Sequence, residues 1–271
     1  MVGGAELEYE VSGTGEPVVF IHGAFIADAF RPLLTEPSLA DRYHLILYHR
    51  RGYAGSSSVS EPGSVFQQAA DCRDLLRHLG VARAHVVGHS YGGVVALQLA
   101  LDNPEAVHSL ALLEPALMAG ASAQGYRESL ARGANRYRET NTEIVVDEFF
   151  QARWPGYQFV LDRALPGAFA QAVADAGTSF EYELPGLLNW HFGEAEALRI
   201  TQPVLTVLGG KSDALWPRFG ETHRLLLAWM PQAEGFVLPG ATHFLQVENP
   251  RGIAEALAAF WARHRLPIED A

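Results

Sequence analysis

Val86-Val87-Gly88-His89-Ser90-Tyr91-Gly92-Gly93 carries a short apolar run into Gly-x-Ser-x-Gly, and the mostly apolar stretch Gly92 to Leu101 follows it. The pattern reads as a strand, a tight turn and a buried helix that stops at Asn103-Pro104. The glycines leave no Cβ atoms to crowd Ser90, so the turn can hold the serine in a strained conformation with its Oγ projecting from the strand end. The backbone N–H of Tyr91 then lies at a helix start, where donors lack intrahelical partners and an anion is favoured. An ordinary turn serine is the plain alternative; the strand–turn–helix setting favours a nucleophile.

Similar apolar runs lie on both sides. Val18-Val19-Phe20-Ile21, Leu45-Ile46-Leu47-Tyr48, Leu110-Ala111-Leu112-Leu113, Val204 to Leu208 and Phe236-Val237-Leu238 are continuous rather than alternating. Strands covered on both faces read this way, so a mostly parallel sheet with helices on each side is expected. Leu7 to Val11 alternates apolar and acidic residues and reads as an antiparallel edge strand. Ser64 with Gln67 has capping-box spacing, and Phe66, Ala69, Ala70, Leu75, Leu76 and Leu79 form one helical stripe ending at Gly80. Asn249-Pro250 opens a last helix through Ile253, Leu257 and Phe260.

From about Met118 to Leu198 the rhythm breaks. Some eighty residues separate two strands, far more than a crossover helix needs. Twelve of the 28 aromatic residues fall there, which marks a helical insertion lying over the end of the sheet rather than a longer crossover. The expected division is a core of residues 1–117 and 199–271 with a helical cap at 118–198, inserted after the sixth strand.

Composition narrows the partners. Hydrophobic residues make up 48% and charged residues 19% of 271, enough to bury a core and too apolar for global disorder. Lys plus Arg is 20 and Asp plus Glu 31, a net charge of −11, which argues against nucleic acid or an anionic membrane. One cysteine, Cys72, excludes an internal disulfide framework and a cysteine-based zinc site. No run of about 18 apolar residues exists, and the opening Met1-Val2-Gly3-Gly4 shows no secretory signal. The expectation is a cytoplasmic globular protein, monomer or homodimer, acting on a small molecule; Ile268-Glu269-Asp270-Ala271 reads as a frayed tail.

A serine hydroxyl needs a base, and the base needs a group that fixes its tautomer. His243 follows the strand Phe236 to Leu238 through Pro239-Gly240-Ala241-Thr242, a strand-exit loop suited to a base. Asp213 follows Val204 to Leu208 through Gly209-Gly210-Lys211-Ser212 and is the expected acid. Glu114, at the exit of Leu110 to Leu113, is the alternative. Gly23, in His22-Gly23-Ala24-Phe25, permits a turn that aims the Ala24 N–H to join that of Tyr91 in an oxyanion hole. His22 reads as a structural hydrogen-bonder beneath that loop. Phe25, Trp154 and Trp190 are expected to line an apolar pocket for an apolar or ring-containing substrate.

Together these segments resemble the α/β-hydrolase superfamily, in its lid-bearing branch of small esterases, haloperoxidase-like enzymes and carbon–carbon bond hydrolases. The resemblance spans about Val18 to Trp261 and rests on His22-Gly23, Arg51-Gly52 with Ser56, Gly88 to Gly93 and the Asp213 and His243 loops. It implies the α/β-hydrolase fold, a Ser90–His243–Asp213 triad, oxyanion donors at Ala24 and Tyr91, and neither metal nor organic cofactor. The chain departs from the family at His49, where an aspartate usually precedes Arg-Gly. The activity implied is hydrolysis of a carboxylic ester, thioester or lactone through an acyl-enzyme. The alternatives are carbon–carbon hydrolysis, a lyase or cyclisation step with the same triad, and a non-catalytic ligand receptor.

Overall fold

The computed structural model describes residues 4–59 and 62–266. The readings of Met1-Val2-Gly3 and of the tail Ile268–Ala271 lie outside those residues. Seven strands among them form one sheet: β1 (Tyr9–Ser12), β2 (Glu16–Ile21), β3 (Tyr43–Tyr48), β4 (Ala84–His89), β5 (Val107–Leu113), β6 (Val204–Gly209) and β7 (Ala233–Leu238). Their order is β1-β3-β2-β4-β5-β6-β7, with only β1 antiparallel to its neighbour.

Both faces of the inner strands β2 to β6 are covered, which is why their apolar runs are continuous; β7 departs from the expectation, with Val237 49% exposed, because it lies at the sheet edge. Val19, Ile21, Val86, Leu110 and Leu112 point into one core, beneath the helices Val65–His78 and Tyr91–Asp102. Val18, Phe20, Val87, Ala111 and Leu113 point into the other, packed by the helix Pro250–Arg263. Ser64 Oγ caps the first helix by accepting from the Gln67 N–H at 3.1 Å, and Asn249 Oδ1 caps the last from Gly252 at 2.9 Å. The Gln67 side chain does not reach back to complete a capping box; it donates to Asp71 instead. Phe66 also departs from expectation. It is 56% exposed, because Val65 takes the inward position at the helix start.

Chain direction places the site. From β2 the chain passes to β3 on one side, then crosses to β4 on the other, so strand order reverses between β2 and β4. The loops leaving the carboxyl ends of these two strands border a crevice, the usual ligand position in a wound sheet. Register aligns those ends, pairing Ile21 with Gly88.

The helical insertion leaves after β5 and returns at β6, so it follows the fifth rather than the sixth described strand. It contains the helices Ala123–Glu139, Thr142–Arg153, Gln158–Ala164, Ala168–Ala174 and Leu184–Asn189, with a π-helical turn at Thr178–Glu183. Phe150, Trp154, Tyr157 and Leu161 build its own apolar cluster, which also takes in Phe25 and Phe244 from the sheet loops. Trp190, Phe192 and Ala197, at its end, pack into the sheet core instead. No helix among the described residues is long and apolar enough to cross a membrane.

Candidate active site

Ser90 sits between β4 and its helix at φ 51° and ψ −116°, a region that side chains rarely adopt. Two glycines make this possible. A Cβ on Gly88 would lie 2.5 Å from the Gly92 carbonyl oxygen, and one on Gly92 would lie 2.0 Å from that of Ile21. The strained serine is held on both sides: its N–H donates to Leu113 O at 3.0 Å and its carbonyl accepts from the Ala116 N–H at 2.9 Å. The result is a hydroxyl at the crevice.

His243 reaches it. Ser90 Oγ and His243 Nε2 are 3.1 Å apart. The imidazole is clamped from several directions. Phe219 stacks on it with centroids 4.5 Å apart. The His89 Nε2–H donates to the His243 carbonyl at 2.8 Å, and the Thr242 N–H and hydroxyl bind Glu248. His89, the variable residue of Gly-x-Ser-x-Gly, therefore anchors the base loop from below. Burial pushes its own pKa down to about 4, so it stays neutral in that role.

The partner of His243 Nδ1 is Glu114, not Asp213. Nδ1–H donates to Glu114 Oε2 at 2.7 Å, and Glu114 Oε1 accepts from the Gly209 N–H at 2.7 Å, so both carboxylate oxygens are fixed. Glu114 is 2% exposed and adopts φ 44° at the β5 exit. Asp213 turns away. Gly210 and Lys211 donate to Leu238 O and Ala241 O, pinning the β6 exit against the β7 exit. A short helix, Ser212–Leu215, then starts with Ser212 inward and Asp213 outward. The Asp213 side chain is 48% exposed and its carboxylate lies 4.0 Å from Arg224. One residue of helical phase thus removes the expected acid from the site.

Burial pushes the Glu114 carboxyl up to about 8. Burial, then the nearby His89, Arg218 and Arg153, push the His243 imidazole well below its ordinary range. Both shifts favour uncharged forms, so the imidazole rests neutral and able to accept a proton. Once Glu114 is ionised, its bond to Nδ1–H selects the tautomer with its free lone pair towards Ser90.

Ala24, Phe25, Ser90, Tyr91 and His243 line one cavity of about 230 Å³ beneath the helical insertion. That volume suits a small ligand, near the lower end of ligand-pocket sizes. Of the three aromatics expected there, only Phe25 lines it. Trp154 stacks on Phe244 with centroids 5.3 Å apart, and Trp190 donates its Nε1–H to Gln98 at 2.8 Å in the sheet core. Their aromatic surface packs the fold rather than the cavity.

A second buried network supports the oxyanion loop. Arg50, 1% exposed, donates to the carbonyls of His22 and Gly23 at 2.9 and 2.8 Å and forms an ion pair with Glu183 of the insertion. His22 accepts from the Arg50 N–H at 2.9 Å, beneath the loop. His49 stays out of the cavity, bridging Glu8 at 2.8 Å and Asp28 at 3.0 Å. Among the described residues no group of three or more His, Cys, Asp or Glu is arranged to hold a metal.

A wound sheet with a serine on its strained turn, a histidine and a buried acid in one bonded line defines a hydrolase of the α/β type. The sequence comparison agrees: residues 18–256 match the alpha/beta hydrolase family, and the chain belongs to it. A protein of Azorhizobium caulinodans provisionally named a carbamate hydrolase is 31% identical, over 95% of this chain and 96% of its own. The dihydrolipoyllysine-residue acetyltransferase component of the acetoin cleaving system of Pseudomonas putida is 30% identical, over 97% of this chain and 68% of its own. Among solved structures, an esterase from Thermogutta terrifontis superposes with a TM-score of 0.81 at 21% identity, covering 97% of this chain and 95% of that one. An enol-lactonase from Burkholderia xenovorans superposes at 0.79 with 20% identity, covering 96% and 98%.

Proposed function

We propose that the protein is a serine hydrolase of carboxylic esters, thioesters or lactones, working through an acyl-enzyme with Ser90 as nucleophile, His243 as base and Glu114 as the orienting acid. The observation that carries this reading is the line Ser90 Oγ to His243 Nε2 at 3.1 Å and His243 Nδ1 to Glu114 Oε2 at 2.7 Å. Relatives named for esterase, lactonase and carbamate hydrolysis, all attacks on an acyl carbonyl, point the same way.

In this mechanism His243 takes the Ser90 proton as Oγ attacks the carbonyl carbon. The oxygen of the tetrahedral intermediate becomes an alkoxide beside the N–H groups of Tyr91 and Ala24, donors worth roughly 3 kcal/mol each in comparable sites. The intermediate collapses, the carbon–oxygen or carbon–sulfur bond breaks, and His243 protonates the leaving group. Water, deprotonated by His243, then attacks the acyl-enzyme and releases the acid and free Ser90.

The test is turnover of a p-nitrophenyl ester by wild type and Ser90→Ala. The expected result is a pre-steady-state burst in wild type and a loss on the order of 10⁴-fold or more in the variant. Equal turnover by the two proteins overturns the mechanism.

A further inference from the structure

Two cations in the cavity lack counter-ions among the described residues. Arg218 is 5% exposed, and its Nε and Nη1 find no acceptor among the described residues. Its guanidinium lies over the rings of Tyr126 and Phe219, 3.6 and 4.4 Å from their centroids. Phe219 is the ring stacked on His243, so this charge stands one side chain from the base. Arg153 is 8% exposed and lies over Phe149 at 3.6 Å and Trp216 at 4.6 Å. Its one bond to the described residues is from Nη1 to the Phe149 carbonyl, at 3.0 Å. Both arginines line the same cavity as Ser90 and His243.

The acids around the cavity, with Glu114 behind it, form no ion pair with them among the described residues. Glu183 is committed to Arg50, Tyr53 and Gln68. Glu148 pairs with Arg136 at 3.0 Å, both about half exposed. Glu114 uses both oxygens on His243 and Gly209. A buried, unpaired guanidinium costs several kcal/mol, which aromatic faces offset only in part. Burial, with the like charge of Arg218 added, draws Arg153 down to about 10 against the opposing Tyr126. Two such groups face one cavity.

We propose that Arg153 and Arg218 form an anion-recognition subsite, and that the substrate is an ester or lactone that carries its own carboxylate. Planar guanidinium forks match a carboxylate, and aromatic faces behind them hold the forks in place. The bound carboxylate positions the scissile carbonyl over Ser90. This deepens the hydrolase reading and rests on it for the reacting bond, though the subsite can be measured without turnover.

The experiment compares kcat/KM for two matched pairs: mono-p-nitrophenyl glutarate against p-nitrophenyl valerate, and 4-carboxyphenyl against 4-carbamoylphenyl butyrate. The wild type is expected to favour the anion by at least about tenfold in one pair, mainly through KM, as one well-placed charge pair supplies. Arg153→Met and Arg218→Met each bring that ratio towards one, and Arg153→Lys and Arg218→Lys retain part of it. A wild type without anion preference, or Met variants that keep it, overturns the subsite. Should no ester be hydrolysed, the hydrolase reading fails separately. Calorimetric titration of Ser90→Ala with glutarate and benzoate still decides: binding that weakens in the Arg→Met backgrounds supports the subsite, and no binding up to 10 mM or so, about −3 kcal/mol, overturns it.

Discussion

Replacing Glu114 by Gln keeps the shape of the side chain and its acceptor for Gly209 but removes the group beside His243 that can ionise as the imidazolium forms, at a cost of about 1.4 kcal/mol near pH 7 for a carboxyl pushed up to about 8. The carboxylate and the imidazolium formed during attack are 2.7 Å apart. At an effective dielectric of about 20, such a pair attracts by about 6 kcal/mol, and each 1.36 kcal/mol is about tenfold in rate. The amide also presents the wrong group to Nδ1 for half of its orientations, which disturbs the tautomer. The expected loss in kcat, net of that ionisation cost, is therefore about 10³- to 10⁴-fold, with the fold intact by circular dichroism. Asp213→Asn, at a half-exposed carboxylate 4.0 Å from an exposed Arg224, is expected to change kcat less than about threefold. The assay is ester turnover under saturating substrate, with both variants side by side. The reverse pattern, with Asp213→Asn crippled and Glu114→Gln near wild type, refutes the assignment.

Trp190→Phe removes the bond to Gln98 in a fully packed core, so it is expected to lower stability by about 1–2 kcal/mol in urea denaturation and leave KM unchanged. Trp154→Leu is expected to behave alike, since its ring packs on Phe244; a large KM change would return these rings to the cavity wall. His49 gives a pH-dependent contribution. Burial opposes its charge, but the bonds to Asp28 and Glu8 win and raise its pKa, while that of each carboxylate is lowered. Its stabilisation is thus complete below the unfolded histidine value of about 6.5 and fades as pH rises through the higher folded value. Melting curves from pH 6 to 8 are expected to show a decline of no more than about 1 kcal/mol, because Glu8 is half exposed, and His49→Gln is expected to flatten it. Equal slopes in the two proteins would contradict this.

The turn around Ser90 is legible because its cause is local. Gly88 and Gly92 are there to avoid contacts that any Cβ would make, and the sequence shows both. The sheet is legible for a similar reason: strands buried on two faces must be apolar at every position. The acid is not local. Glu114 and Asp213 both follow strands that end at the crevice, and the choice turns on whether the residue facing inward after β6 is Ser212 or Asp213. That phase is set by contacts to the β7 exit, which no spacing reveals. The two arginines are not legible because a charged residue on a helix reads as solvated, whether on the insertion (Arg153) or on the helix Pro217–Trp229 after β6 (Arg218); only packing against Tyr126, Phe149, Trp216 and Phe219 marks them as buried. For the tryptophans, composition located aromatic surface but not its direction.

The proposed mechanism requires that Ser90 become covalently modified with the help of its histidine and glutamate partners. Treating the protein with a fluorophosphonate and mapping the adduct by peptide mass spectrometry measures this directly. One phosphonyl group on the Ser90 peptide, formed at least about 10²-fold more slowly in His243→Ala and Glu114→Gln, is the predicted result. An unmodified Ser90, or labelling at the same rate in all three proteins, would contradict it.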